Sequence, residues 1–177
     1  CLRQSDMFPH LVTDIGKVVR NHEPWSPPEW FSVDDRLEAL EVVRELRAGE
    51  GVLTVDIESN IEKDVSFEHP TRHGLLCIGV AYARDKAVVF GENVCQDREL
   101  LDALGDLFRN RRIIGQNFKF DAKGLYHRLG PVPLYFDPML AHYALDERPG
   151  IHSLEQMGVE LLGTPNWKSE IGKYLGR

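Results

Sequence analysis

A short apolar strand that ends in two acids constrains the fold of this sequence more than any other feature. The apolar residues 52–55 are followed directly by Asp56, Ile57 and Glu58. Residues two apart on a strand lie on the same face of a sheet, so both carboxylates should point the same way. Two carboxylates held that close repel one another unless a cation lies between them.

A second segment has the same form. An apolar strand at residues 112–115 ends at Gly115, and a helix that carries Asp121 begins directly after it. The carboxyl ends of such strands form the edge where open α/β sheets bind ligands, and Mg²⁺ and Mn²⁺ prefer oxygen ligands. The two segments together predict a divalent-metal site. Taken singly, each fits a simpler interpretation, a solvated strand end and an anion in the first turn of a helix.

The order of predicted elements is that of an α/β protein. A hairpin with its turn at residues 84–86 leads into strands joined by helices, which predicts a mixed sheet, antiparallel and then parallel, flanked by helices. The predicted strands are residues 52–57, 75–82, 87–90, 112–115 and 134–136. The predicted helices start near residues 33, 97, 118, 138 and 153.

Two local features before the first predicted strand are less distinctive. Ser32 and Asp35 predict a helix start, with Ser32 as the N-cap and Asp35 in the first turn. Residues 23–30 hold three prolines and two tryptophans and predict an extended linker. The face of this first helix that should point to the core comprises Leu37, Leu40, Val43 and Leu46.

The composition argues against several classes of protein. The 177 residues, 42% hydrophobic and 28% charged, suffice for one domain with a substantial core. Cys1, Cys77 and Cys95 stand singly, unlike a disulfide framework or a zinc site. No apolar run approaches the ~20 residues that span a membrane. A net charge of −7 argues against a protein that coats nucleic acid, but not against a nuclease with bound cations.

The two acidic segments resemble motifs of a known family, the 3′–5′ proofreading exonuclease domains of DNA polymerase I-type (family A) polymerases. These DEDD exonucleases have a ribonuclease H-like fold. Their Asp-x-Glu motif stands here as Asp56-Ile57-Glu58. Their second motif stands as Gly115-Gln116-Asn117-Phe118-Lys119-Phe120-Asp121. Residues 136–140 and 150–154 are similar to a later region of the family, in the right order and spacing.

The resemblance implies a site with two divalent ions, Mg²⁺ or Mn²⁺. Asp56 would bridge both ions, Glu58 would hold the ion that activates water, and Asp121 would hold the second. The product would be a nucleoside monophosphate released from the single-stranded 3′ end of DNA. The resemblance also places substrate contacts at Asn117, Ile57, Gln116, Phe118 and Lys119. The simpler alternatives are a helix cap for Asn117, core packing for Phe118 and a solvated face for Lys119.

The family's third motif, Tyr-x-x-x-Asp, is not found in this sequence. Tyr143-x-x-Asp146 mimics it at the wrong spacing. We therefore expect residues 31–177 to be an incomplete exonuclease domain, weakly active or inactive alone, after an N-terminal extension of residues 1–30. The resemblance implies a polymerase domain in the same natural chain, no membrane partner, and a cytoplasmic location (bacterial, or that of the host for a phage protein).

Two other functions also fit the sequence. One is a ribonuclease D-like 3′ exonuclease that acts on RNA. The other is an exonuclease-like scaffold without activity, which the presence of all three acids disfavours. An unrelated phosphate-binding domain would need a glycine-rich phosphate loop, and the sequence has none.

Overall fold

The computed structural model describes residues 26–60 and 74–165. The described residues divide into two compact units, one within residues 28–141 and one of residues 26–27 and 142–165. Asp56, Glu58 and Asp121 belong to the first unit. Among the helices of the described part, none is long and apolar enough to cross a membrane.

Six strands of the described chain form one mixed sheet. Along the chain they are β1 (Glu29–Val33), β2 (Val52–Asn60), β3 (Gly74–Ala83), β4 (Lys86–Phe90), β5 (Arg112–Ile114) and β6 (Leu134–Phe136). Their order across the sheet is β1-β4-β3-β2-β5-β6.

Strand β2 lies between the antiparallel and the parallel strands. It pairs antiparallel with β3, which pairs antiparallel with β4 across the turn at Arg84 and Asp85. On its other side β2 pairs parallel with β5, and β5 pairs parallel with β6. The predicted mixed sheet is therefore confirmed, and β2 carries the two acids into the middle of it.

Strand β1 was not expected from the sequence. Glu29 and Trp30, predicted to end a linker, begin this strand, which pairs parallel with β4. Only Val33 of its five residues is buried. The strand therefore shows neither the alternation nor the apolar run that marks a strand in a sequence. Pairing with β4 at the edge of the sheet defines it instead.

The described helices are α1 (Arg36–Ala48), α2 (Arg98–Arg109), α3 (Lys119–Leu129), α4 (Pro138–Leu145) and α5 (Leu154–Met157). A 3₁₀ turn at Val94–Gln96 precedes α2, and a π turn at Gly158–Leu162 follows α5. Ser153 caps α5 as predicted, since its hydroxyl accepts the Gln156 N–H at 3.1 Å.

The start of α1 differs from the prediction. Asp35 is the cap, because its carboxylate accepts the N–H groups of Leu37 and Glu38 at 2.9 and 3.0 Å. Ser32 lies in β1 instead. Leu37, predicted to face the core, is exposed. The buried positions of the helix are Ala39, Val43 and Leu46.

The core lies between one face of the sheet and helices α1 to α3. Val55 and Ile57 of β2 are buried in it. Because side chains alternate along a strand, Asp56 and Glu58 lie on the opposite face. The helices contribute Val43 and Leu46 from α1, Leu100, Leu104 and Phe108 from α2, and Leu125 and Leu129 from α3.

Candidate active site

Asp56 and Glu58 lie side by side on the open face of β2. Both residues are exposed, and their partners on β3 are Gly79 and Cys77. The glycine opposite Asp56 has no side chain to cover the carboxylate. An irregularity in the strand pairing follows Glu58 and ends the regular part of the strand there.

Three features define the turn after β5. The Gly115 N–H donates to the Phe136 carbonyl at 3.1 Å, which extends the pairing of β5 with β6. A Cβ at position 115 would lie 2.2 Å from Cδ2 of Phe118, so glycine is required beside the buried ring. Asn117 has a φ of 51°, a conformation that asparagine tolerates better than most residues. This turn directs the chain into α3.

Asp121 lies in the first turn of α3 and is 5% exposed. Since β5 is the parallel neighbour of β2, the turn after β5 and the end of β2 occupy the same edge of the sheet. The structure thus brings the three predicted acids to one edge, two exposed on the strand and one buried in the helix.

The charges of these acids act on one another. The pKa of Asp121 is raised to about 7, first by burial and then by the negative charges of Asp56, Glu58 and Asp137. The pKa of Asp56 is raised mainly by the partial burial of its carboxylate, although the residue as a whole is exposed, and next by the charge of Glu58. Carboxylates that raise one another's pKa values form a region of negative potential, which a cation would relieve.

The donor chemistry of this edge fits Mg²⁺ or Mn²⁺, because all three groups offer hard carboxylate oxygens. In residues 26–60 and 74–165, however, no group of three or more His, Cys, Asp or Glu side chains is arranged to hold a metal ion. The acids are therefore close enough to interact electrostatically but are not gathered into a finished coordination shell.

The five predicted substrate contacts fall into two groups. The side chains of Ile57 and Phe118 are buried, at 7% and 1% exposure, so only their backbone could touch a substrate. Both side chains pack in the core, and the contacts of these two residues with a substrate remain predictions. The other three residues leave more surface open, with Asn117 and Lys119 exposed and Gln116 half-buried.

Helix α3 has no cap from Asn117. Its N-cap residue is Phe118, which provides no side-chain hydrogen bond. The cap comes from Asp137, whose buried carboxylate accepts the Asn117 and Phe118 N–H groups, each at 3.1 Å. The Asp137-Pro138 sequence predicts a cap for α4 alone, and the long-range contact to α3 has no local signal in the sequence.

Asp146, the mimic of the missing third motif, is engaged elsewhere. Its carboxylate forms an ion pair with Arg148 at 2.6 Å. The hydrogen bonds from Arg148 lower the pKa of Asp146 to about 2. In the same unit His142 and His152 are joined Nδ1 to Nδ1 at 2.9 Å. The ion pair with Arg148 gives Asp146 a local structural role.

A pocket of about 140 Å³ lies at the other edge of the sheet. It is lined by Phe31, Tyr82, Arg111 and the last turn of α1, near the point where β2 begins. None of its lining residues belongs to the acidic edge, which is the edge of the sheet that carries Asp56, Glu58 and Asp121. The pocket is therefore not part of the candidate site.

The sheet order, the helices on one face and the acids at the carboxyl edge define a ribonuclease H-like α/β domain. The sequence model of the 3′–5′ exonuclease domains of A-type DNA polymerases matches residues 30–175. This chain belongs to that 3′–5′ exonuclease family, which is the family that the two motifs indicated.

Among curated proteins, DNA polymerase I of Borreliella burgdorferi is 35% identical over 82 residues. The match covers 45% of this chain and 9% of the length of that polymerase. The match thus covers only a small part of that polymerase. It does not show that this chain has the activities of the whole polymerase.

Solved structures share the fold. The RNase D: GMP complex of Trypanosoma brucei has a TM-score of 0.64 at 16% identity, with 84% of this chain and 47% of that chain covered. RNase D of Escherichia coli, an exoribonuclease involved in structured RNA processing, has a TM-score of 0.61 at 14% identity, with 77% and 34% covered. At such identities the likeness shows the fold alone.

Proposed function

We propose that this chain is the 3′–5′ exonuclease domain of a DNA polymerase and removes nucleotides from single-stranded 3′ ends of DNA. The observation that carries the proposal is the acidic edge. Asp56 and Glu58 at the end of β2 and Asp121 in the first turn of α3 lie at the same edge of the sheet, because β2 and β5 are parallel neighbours. The sequence motifs and the family match both support an exonuclease. The released product would be a nucleoside monophosphate.

In this proposal Asp56, Glu58 and Asp121 are the carboxylates that would hold two Mg²⁺ or Mn²⁺ ions. When bound, such ions supply activation of the attacking water and neutralise charge on the departing 3′ oxygen. The protein supplies the ligands on a rigid strand and on the first turn of a helix. Their mutual repulsion in the free protein favours the binding of cations there.

The residues of the turn before α3 would receive the DNA strand. Asn117 and Lys119 are exposed and lie within four residues of Asp121. An amide can hydrogen-bond the sugar-phosphate backbone, and an ammonium group can pair with a phosphate. Phe118 would support this surface from below, since its ring is buried against Gly115.

The second candidate is a 3′ exonuclease that acts on RNA. The solved structures with the same fold include two RNase D enzymes. The family match and the identity to a DNA polymerase favour DNA. DNA and RNA differ at the 2′-hydroxyl, so oligonucleotides of one sequence in both chemistries separate the two candidates.

The test uses single strands of DNA and RNA of the same sequence, labelled at the 5′ end, with Mn²⁺ present. The longest natural protein that contains this sequence is compared with its Asp56→Ala and Asp85→Ala variants. Asp85 is the control because it is an exposed acid in the turn between β3 and β4. We expect stepwise shortening of the DNA from its 3′ end, reduced on the order of 100-fold or more by Asp56→Ala and unchanged by Asp85→Ala.

Each contrary result has a distinct meaning. Shortening of RNA in preference to DNA would favour the ribonuclease candidate. Undiminished cleavage by Asp56→Ala would contradict the assignment of the site. No cleavage by the wild-type protein, at saturating Mn²⁺, would favour a scaffold without activity.

A further inference from the structure

One buried carboxylate joins the two segments that follow β5 and β6. Asp137 is 7% exposed. Its Oδ1 accepts N–H groups from Asn117 at 3.1 Å, Met139 at 2.9 Å and Leu140 at 3.4 Å. Its Oδ2 accepts the Phe118 N–H at 3.1 Å. A single side chain thus caps its own helix, α4, and the start of α3.

The start of α3 depends on this distant cap. The first N–H groups of a helix have no partner within the helix, and Phe118 at the N-cap position offers no side-chain acceptor. The adjacent Asn117 holds a left-handed conformation that costs free energy unless its surroundings enforce it. Hydrogen bonds from backbone N–H groups to an anion are about twice as strong as neutral ones. Asp137 therefore supplies the contact that fixes this turn.

Asp121 follows the turn directly. The Ala122 N–H donates to the Phe118 carbonyl at 2.8 Å, so the helical turn that contains Asp121 begins at the residue that Asp137 holds. A change in the direction of the Asn117–Phe118 backbone would rotate this first turn and move the Asp121 carboxylate relative to β2.

We propose that Asp137 is a positioning residue for Asp121. It fixes the Asn117 and Phe118 backbone, and through it the place of the Asp121 carboxylate at the acidic edge. The inference rests on the proposed function, because Asp121 is taken as a metal ligand. Residues that orient metal ligands in proteins typically change metal affinity 10- to 100-fold when they are mutated.

A serine at position 137 separates the two caps. Serine is itself a good N-cap for the helix that follows it, so Asp137→Ser keeps the cap of α4. It has one short hydroxyl in place of two carboxylate oxygens and cannot hold both distant N–H groups. Asp35→Ser is the matched control, because Asp35 caps only its own helix, α1.

Two measurements on the 177-residue chain test the proposal. In the absence of metal, amide hydrogen exchange by NMR should be faster at Asn117 and Phe118 in Asp137→Ser than in the wild type. Mn²⁺ affinity, measured from the EPR signal of free Mn²⁺, should fall roughly tenfold in Asp137→Ser. Asp35→Ser should leave both unchanged, even where its thermal stability falls by a similar amount.

The outcomes separate this inference from the proposed function. Absence of measurable Mn²⁺ binding both in the wild-type 177-residue chain and in the longest natural protein that contains it would overturn both. Where only the longer protein binds Mn²⁺, the same comparison of affinities is made in that protein. Wild-type binding with an undiminished affinity in Asp137→Ser, or with an equal loss in Asp35→Ser, would overturn the positioning role alone. If Asp137→Ser does not fold, Asp137→Asn replaces it, because it keeps the shape and one acceptor oxygen. Faster amide exchange at Asn117 and Phe118 and a lower Mn²⁺ affinity are expected in Asp137→Asn as well, and the absence of both changes would overturn the inference.

Discussion

Asp121 has an ionisable side chain but is only 5% exposed. Burial disfavours the charged form of a carboxyl group. Its pKa of about 7, against an ordinary value of 3.8, arises from burial and from three neighbouring acids. The folded protein therefore keeps the Asp121 proton to a higher pH than the unfolded chain does. Strongly shifted pKa values of this kind are typical of functional sites, where buried ionisable groups bind ligands or take part in catalysis.

The sign of the pH dependence follows from this difference. Between about pH 4 and pH 7 the Asp121 carboxyl group binds more protons in the folded state than in the unfolded state, so its contribution to the free energy of unfolding should fall as the pH rises. Asp121→Asn removes this loss. In EDTA at pH 8 we expect the variant to be more stable than the wild type, on the order of 1 kcal/mol after allowance for solvent screening.

Denaturant unfolding in EDTA at several pH values measures this effect. The two proteins should have nearly equal stability at about pH 3, which lies below the ordinary value of 3.8, because the carboxyl group is then mostly protonated in both states. Asp85→Asn, in the exposed turn between β3 and β4, should follow the wild type throughout. A stability difference between Asp121→Asn and the wild type that does not grow between pH 5 and pH 8, or an Asp121→Asn variant that is less stable than the wild type at pH 8, would contradict the raised pKa of Asp121.

The turn from β5 to α3 connects the fold to the site. Its Gly115 lies against the buried ring of Phe118, and its backbone donates to Phe136 of the neighbouring segment. The same seven-residue segment therefore satisfies a packing requirement at its start and presents Asp121 at its end.

Gly115→Ala should disrupt this turn. The added methyl carbon would lie 2.2 Å from the Phe118 ring, and a buried ring in a packed core has little room to move. We expect a loss of roughly 2–3 kcal/mol in the free energy of unfolding, measured by urea denaturation. Gly74→Ala is the control, since a methyl group there meets only Asn60 Cβ at 3.9 Å and should change stability little. A stability loss in Gly115→Ala no greater than that of the control would show that the turn adapts.

Much of this fold could be predicted because its elements carry clear patterns. The amphipathic α2, with Leu100, Leu104 and Phe108 inward, shows helical spacing, and the strands of the hairpin are apolar runs bounded by turn residues. Strand β1 could not be predicted, because four of its five residues are exposed and its place depends on β4. The start of α1 was predicted three residues early, since Ser32 and Asp35 are both good caps and only the strand pairing decides between them.

The candidate site also has parts that the sequence predicts and parts that it does not. Local motifs predict the acids and the glycine turn, and strand alternation predicts that Asp56 and Glu58 share a face. Alternation also places Ile57 in the core, against a side-chain role in substrate contact. The contact between Asp137 and the turn before α3 could not be predicted, because it joins residues 19 and 20 positions apart through tertiary structure. The metal and substrate roles of these residues remain predictions.

At the scale of the whole molecule, a chain with a net charge of −7 is proposed to receive a polyanion. Proteins that bind nucleic acid through lysine and arginine release counterions and need no divalent metal. Here the acidic edge would itself repel the phosphates of a strand. Bound cations would reverse that local repulsion, so the binding of nucleic acid and of metal should be coupled.

We therefore expect the 177-residue chain to bind a single-stranded DNA oligonucleotide weakly in EDTA and roughly tenfold more tightly with Ca²⁺. Ca²⁺ takes the same oxygen ligands as Mg²⁺ with looser geometry. Fluorescence anisotropy at constant ionic strength measures the affinity. Asp56→Asn should bind slightly better than the wild type in EDTA, because one repelling charge is removed, and should gain little from Ca²⁺, because a ligand is lost. Equal affinities with and without Ca²⁺ in the wild type would show that the strand is held by basic residues elsewhere on the molecule.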